Sequence, residues 1–179
     1  MLNNPLFAGE INGSICPGME INNSPSELAK QSDTSRPLIL LSTSGTRLIA
    51  NAGGSDALYL ACFRNSLSMG CRLISEKHPR VALVGAGSRG EFREEDRLCA
   101  ARIARVLVEG GHDVSDRFTA EVLEQWGTAA DDAFLGGRSA SYLRETAQEH
   151  DLEFVLEHID DLSSTYRVAN GEVTELHAD

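Results

Sequence analysis

The chain has 179 residues, with 16 basic and 27 acidic side chains, a net charge of −11 and a pI of about 4.9. That acidity argues against a nucleic-acid or membrane-surface partner, since both attract basic proteins. It leaves room for an anionic substrate wherever local positive charge or a metal gathers it. An apolar fraction of 41% is enough to bury a core, and the expected organisation is one domain over 1–179 with an irregular N-terminal segment, 1–25. Cys16, Cys62, Cys71 and Cys99 form no C-x-x-C pair. The start shows no basic region followed by an apolar run, and no stretch approaches the ~20 apolar residues that cross a bilayer. A cytoplasmic protein with reduced thiols is the expectation.

Residues 1–25, rich in Asn, Gly, Pro and Ser, read as loop. Ser24-Pro25-Ser26-Glu27 is a helix start, with Ser24 as N-cap and Pro25 as the first helical residue. Leu38 to Leu41 reads as a buried strand, ALYLACF over 57–63 as a second and RVALV over 80–84 as a third. Helices are expected over Ser66 to Ile74, Glu94 to Glu109 (closed by Gly110-Gly111), Ser115 to Trp126 and Ser139 to His150. DLEFVL over 151–156 alternates like a strand. Asn170-Gly171 between two alternating runs signals a terminal hairpin. Strands alternating with helices predict an α/β fold, a layered α/β/α sheet with a C-terminal β-hairpin.

The unit RVALVGAGSRGEFREEDRLCAARIARVL carries the most chemical information. A strand runs into a glycine-rich turn and a helix follows, and open α/β sheets bind ligands at the carboxyl ends of strands. On that helix Cys99, Ile103, Val106 and Leu107 make the inward stripe, and Asp96 continues it at the first turn. Asp96 should therefore point at the strand ends, where hydrated Mg²⁺ could sit, with Glu95 one step aside. The macrodipole alone also favours acidic residues in a first turn. Ser42-Thr43-Ser44-Gly45-Thr46-Arg47 follows the LILL run and offers hydroxyls, backbone N–H groups and a guanidinium suited to phosphate. Taken by itself, the run is better read as a polar turn with an exposed arginine. Gly9-Glu10, Gly13, Pro17-Gly18 and Asn23-Ser24-Pro25 form a third unit ending at a helix start. Cys99, on the inward stripe, reads as a small buried hydrophobe rather than a nucleophile. His78, His112, His150, His158 and His177 show no metal-ligand spacing.

The ordered set resembles the 2-phosphosulfolactate phosphatase family. The matching runs are Gly9-Glu10, Gly13, Pro17-Gly18 and Asn23-Ser24-Pro25, then Thr43-Ser44-Gly45-Thr46. Phe63-Arg64-Asn65 follows, and then Ala86-Gly87, Glu95-Asp96 and Cys99-Ala100. The resemblance runs from Gly9 to about Leu107, more loosely beyond, with Ser44 standing where asparagine is usual. It implies a Mg²⁺-dependent phosphatase acting on a small anionic phosphate monoester, 2-phosphosulfolactate or similar. It further implies Asp96 and Glu10 as catalytic residues, Glu10, Glu95 and Asp96 as metal ligands, and Asn23, Ser24, Thr43, Gly45, Thr46 and Arg47 as phosphate contacts. The family's opening Asp-Val-Leu-Arg-like strand has no counterpart before Gly9, and Met19 and Ile21 replace the relatives' Phe and Asp. The alternative expectation is thus a non-catalytic or partner-dependent subunit that binds a phosphorylated or anionic ligand. It would be a homo-oligomer or depend on a second chain supplying the N-terminal part.

Overall fold

The computed structural model describes residues 4–11, 14–42, 44–88 and 90–177. Their strands are β1 (Leu6–Ile11), β2 (Ser14–Ile15), β3 (Leu38–Leu41), β4 (Leu58–Leu60), β5 (Thr165–Ala169) and β6 (Glu172–Leu176). Their helices are α1 (Pro25–Ala29), α2 (Gly45–Asn51), α3 (Ser66–Ser75), α4 (Glu94–Glu109), α5 (Arg117–Trp126), α6 (Arg138–Glu145) and α7 (Glu149–Glu157). Short 3₁₀ turns cover Phe63–Asn65 and Ala133–Gly136. The fold is mixed α/β with the expected C-terminal hairpin. Its strands divide into two three-stranded sheets, ordered β2-β1-β3 and β4-β5-β6, with β1 and β3 parallel and the other pairs antiparallel.

Helix α4 is the spine. It buries Leu98, Ala101, Ile103, Ala104 and Leu107, because other elements pack on two of its sides. On one side Leu98 meets Phe63, Phe134, Ala140 and Leu152, with the Phe63 and Phe134 rings stacked 5.3 Å apart. On the other, Ile103 and Leu107 meet Met69 and Leu73 of α3. The expected stripe named Cys99, Ile103, Val106 and Leu107. Cys99 and Val106 are only partly buried, since two packed sides widen the apolar face and shift its centre. Gly110 caps the helix and Gly111 continues at φ +96°, as the paired glycines predicted. Asn170 and Gly171 turn the β5–β6 hairpin with φ of 54° and 79°, the signs a tight two-residue hairpin turn requires.

Four expectations need correction. The segment 1–25 is not all loop: Leu6 and Ala8 alternate inward and form β1. The Leu38 to Leu41 strand forms but is not buried. As β3 it lies at a sheet edge, leaving Leu38 47% and Leu40 42% exposed. Residues 80–84 form no strand and pair with none among the described residues. Val81 and Leu83 pack on the α3–α4 cluster, and Val84 faces outward. Residues 151–156 lie in α7, not a strand. Six alternating residues cannot outweigh helical spacing, and Leu152, Val155 and Leu156 all reach the core around Leu98.

Candidate functional site

The glycine turn before α4 closes back on the helix. Ser88 and Glu91 exchange backbone hydrogen bonds of 2.9 and 3.0 Å, forming a tight turn. Gly87 stands at φ +61°, and a Cβ there would meet the Glu91 carbonyl oxygen at 2.7 Å, so only glycine fits. Its N–H donates to Asp96 Oδ2 at 2.6 Å. A Cβ on Gly85 would sit 3.0 Å from Asp96 Cβ, so the loop passes directly over this side chain. Asp96 faces the glycine loop rather than the expected strand ends, since residues 80–84 form no strand among the described residues, and a backbone N–H fixes its carboxylate.

Around the same helix start, Arg93 Nε, Glu95 Oε2 and Arg97 Nε are buried with no hydrogen-bond partner among the described residues. Buried polar atoms in folded proteins are nearly always paired, to protein, water or ligand, so these atoms make the helix start a candidate site. The neighbouring charges are committed elsewhere. Glu91 pairs with Arg138 at 2.6 Å and Arg93 at 3.6 Å. Glu94 takes the Arg138 backbone N–H at 3.3 Å. Its carboxyl is held below the usual range chiefly by its own backbone N–H, with Arg138 adding to the effect. Cys99, one turn on, is an unsuitable nucleophile. Burial, reinforced by Cys62 and Asp96, pushes its thiol up to about 12, so it stays protonated at neutral pH.

The other predicted residues fall in two further places. Glu10 lies in β1, opposite Ile15, and is partly exposed. Ser24 is 2% exposed and serves structure. Its hydroxyl accepts from Glu27 N at 3.2 Å and donates to Asp151 Oδ1 at 2.6 Å, while Asp151 also takes the Ser26 N–H at 3.1 Å. Asn23 is half-buried beside it, its N–H bound to Asn22 Oδ1. Gly45 opens α2, exposed Arg47 follows, and the Thr46 hydroxyl donates to the Ser42 carbonyl at 3.0 Å. Thr46 borders an open cleft of about 640 Å³ between α2 and the β5–β6 hairpin. Thr43 and Gly13 lie outside the described residues.

The Mg²⁺ that the resemblance implies can be set against this donor set. Among the described residues no three His, Cys, Asp or Glu side chains gather closely enough to hold a metal, so Glu10, Glu95 and Asp96 do not form one cage. Glu95 and Asp96 adjoin, one with a buried unpaired oxygen and one fixed by an N–H. Mg²⁺ commonly uses one or two carboxylates and completes its shell with waters and phosphate, and the pair fits that partial role. Sequence reasoning missed Arg93 and Arg97 in the helix start.

These features define an α/β protein whose candidate site is a glycine turn closed over an acidic helix start. The family model for 2-phosphosulpholactate phosphatase matches residues 2–166, and the chain belongs to that family. It is similar to the probable 2-phosphosulfolactate phosphatase of Symbiobacterium thermophilum, 35% identical over 102 residues, covering 57% of this chain and 43% of the relative. It is also similar to the protein of that name from Synechococcus sp. (strain WH7803), 26% identical over 151 residues, with 83% and 61% covered. A third, from Trichormus variabilis, is 33% identical over 104 residues, with 58% and 42% covered. The chain thus spans about half the length of the curated relatives it matches. Among the described residues no helix is long and apolar enough to cross a membrane.

Proposed function

We propose that this chain is a Mg²⁺-dependent phosphatase acting on a small anionic phosphate monoester of the 2-phosphosulfolactate kind, and that it works in the cytoplasm. The observation that carries this reading is the helix start. Asp96 is oriented by the Gly87 N–H, and the same helix start carries Arg93 Nε, Glu95 Oε2 and Arg97 Nε, each buried without a partner among the described residues. The family match supplies the reaction class. Arg93 and Arg97 would donate to phosphate oxygens, and Asp96 and Glu95 would provide carboxylate oxygens. Mg²⁺ held there would withdraw charge from the phosphoryl group. Gly45, Thr46 and Arg47, with Thr43 and Asn23, remain proposed phosphate contacts. Glu10 remains a proposed second source of carboxylate. Ser24 would act by holding its loop to Asp151.

The test is phosphate release from a panel of small monoesters with Mg²⁺ or EDTA. Turnover should require Mg²⁺, and Asp96→Asn should lower it by on the order of 10²-fold, as losing one charge-stabilising group does. A folded chain that releases no phosphate from any ester would overturn the stand-alone enzyme.

A second reading is favoured by β3, whose leucines are nearly half exposed at a sheet edge. In it the chain is a non-catalytic or partner-dependent subunit, completed by another copy or chain, that binds a phosphorylated or anionic ligand. Sedimentation mass decides here: a strictly monomeric, active chain removes this reading.

A further inference from the structure

Arg138, the first residue of α6, reaches back to the segment between the glycine turn and α4. Its Nη1 donates to Glu91 Oε2 at 2.6 Å and its Nη2 to the Phe92 carbonyl at 3.3 Å. Its backbone N–H donates to Glu94 Oε2 at 3.3 Å. A Cβ on Gly137 would stand 2.8 Å from that same oxygen, so the start of α6 rests directly on Glu94. One residue thus binds three positions of the segment. Glu91 also belongs to the turn itself, exchanging backbone hydrogen bonds with Ser88. Its carbonyl oxygen packs against Gly87, whose N–H orients Asp96.

The Glu91 carboxylate decides what Arg93 can do. Arg93 Nη1 lies 3.6 Å from Glu91 Oε2 and its Nη2 lies 3.4 Å from the Ser88 carbonyl. Both contacts are long, and Arg93 Nε has no partner among the described residues. A full-strength charge-assisted bond is shorter, roughly 2.7–2.9 Å. The 2.6 Å contact from Arg138 to the same Glu91 oxygen has that character. Arg138 therefore occupies the carboxylate that Arg93 would otherwise hold. The Arg138–Glu91 pair is more than half exposed on both sides, so it adds little to stability. Its consequence is local: it neutralises charge where Glu91, Glu94, Glu95 and Asp96 crowd a helix start that would receive an anion.

We propose that Arg138 is a positioning residue for this site. By engaging Glu91 it leaves the Arg93 guanidinium free for an anionic oxygen, and its bonds to Phe92 and Glu94 fix it in that place. In this role Arg138 acts through Glu91 and does not touch the anion. The inference rests on the phosphatase reading only for the identity of that anion, the substrate's phosphate.

Inorganic phosphate, titrated into the full chain with Mg²⁺ present and followed by phosphorus NMR, tests this without turnover. KM and kcat for the best monoester of the panel test it with turnover. Arg138→Ala lets Glu91 close on Arg93 and should weaken phosphate binding roughly fivefold, the upper scale of an exposed ion pair. KM should rise by the same factor with kcat little changed, as when ground-state and transition-state contacts are lost alike. Arg138→Lys keeps a charge beside Glu91 but lacks the fork that also reaches Phe92, and should recover part of the loss. Glu91→Gln added to Arg138→Ala removes the competing carboxylate and should return binding to within about twofold of the wild type. A merely structural arginine predicts otherwise: with both partners gone, the double variant would bind no better than Arg138→Ala. That result overturns the proposal, as does unchanged phosphate binding and KM in folded Arg138→Ala. If no ester is hydrolysed but phosphate binding follows the expected pattern, the phosphatase reading fails and the positioning role stands. A wild type that neither binds phosphate nor hydrolyses an ester overturns both.

Discussion

Helices α3 to α7 and the small sheet β2-β1-β3 treat apolar residues in opposite ways. The clusters packed on α4 enclose their side chains: Leu98 is fully buried, Leu107 6% exposed and Phe134 4% exposed. In the sheet, Leu6 and Ala8 of β1 are buried, while Ile11 and Ile15 are half exposed and three of the four β3 residues stand more than 40% in solvent. The difference follows from how each element completes its hydrogen bonds. A helix satisfies its backbone internally and needs only apolar faces to pack. A strand needs neighbours on both edges and layers on both faces, and β3 has one neighbour. Polar contacts tie the two regions together, Ser24 and Ser26 reaching Asp151 of α7 and Asn22 reaching Gln148.

If that contrast is correct, the largest effects should come from the helical side. Leu98→Ala removes a fully buried side chain from the cluster with Phe63, Phe134, Ala140 and Leu152 and should cost about 2–5 kcal/mol, read from urea or thermal unfolding. A loss below about 1 kcal/mol would mean that α4 is not the spine. Next comes the polar tie. Asp151 is 3% exposed and accepts from both Ser24 and Ser26. Asp151→Ala takes the acceptor from the Ser26 N–H and leaves the Ser24 hydroxyl only Ser26 Oγ, and should cost about 1–3 kcal/mol. Because it breaks a junction rather than the core, hydrogen exchange should speed up over Pro25–Ala29 more than within Glu94–Glu109. Asp151→Asn keeps an acceptor and should lose less.

The same contrast explains what could be read from the sequence. The bounds of α4, the Ser24 cap and the Asn170-Gly171 turn rest on local signals and appear as expected. Three-residue spacing from Cys99 placed Asp96 on a helix face, but not its partner there, which is a glycine-turn N–H rather than strand ends. Strand partners are non-local, so nothing in RVALV or LILL could show that one pairs with nothing and the other sits at an edge. The α7 segment was misread because DLEFVL fits both periods. The acidic first turn, Glu149 and Asp151, was the cue for helix. The orphaned Arg93 and Arg97 atoms and the Arg138–Glu91 pair arise only when α4, its neighbouring helices and the glycine turn meet.

The smallest effect should come from the exposed sheet edge, and it probes the contrast from the other side. Leu40 sits in β3, opposite Ala8 of β1 in the parallel register, and is 42% exposed. Leu40→Lys keeps a long aliphatic stem that can lie along the sheet while its charge stays in water. In the isolated chain it should change unfolding free energy by no more than about 0.5 kcal/mol, the range for surface substitutions. A charge on an open edge also discourages strand-to-strand association. If copies of the chain meet through β3, the variant's mass in solution should drop toward that of a monomer while its unfolding midpoint at low concentration stays put. A loss above about 2 kcal/mol in a monomeric sample would instead place Leu40 in a packed interior. The sheet would then be a second core, and the contrast between the two regions would fail.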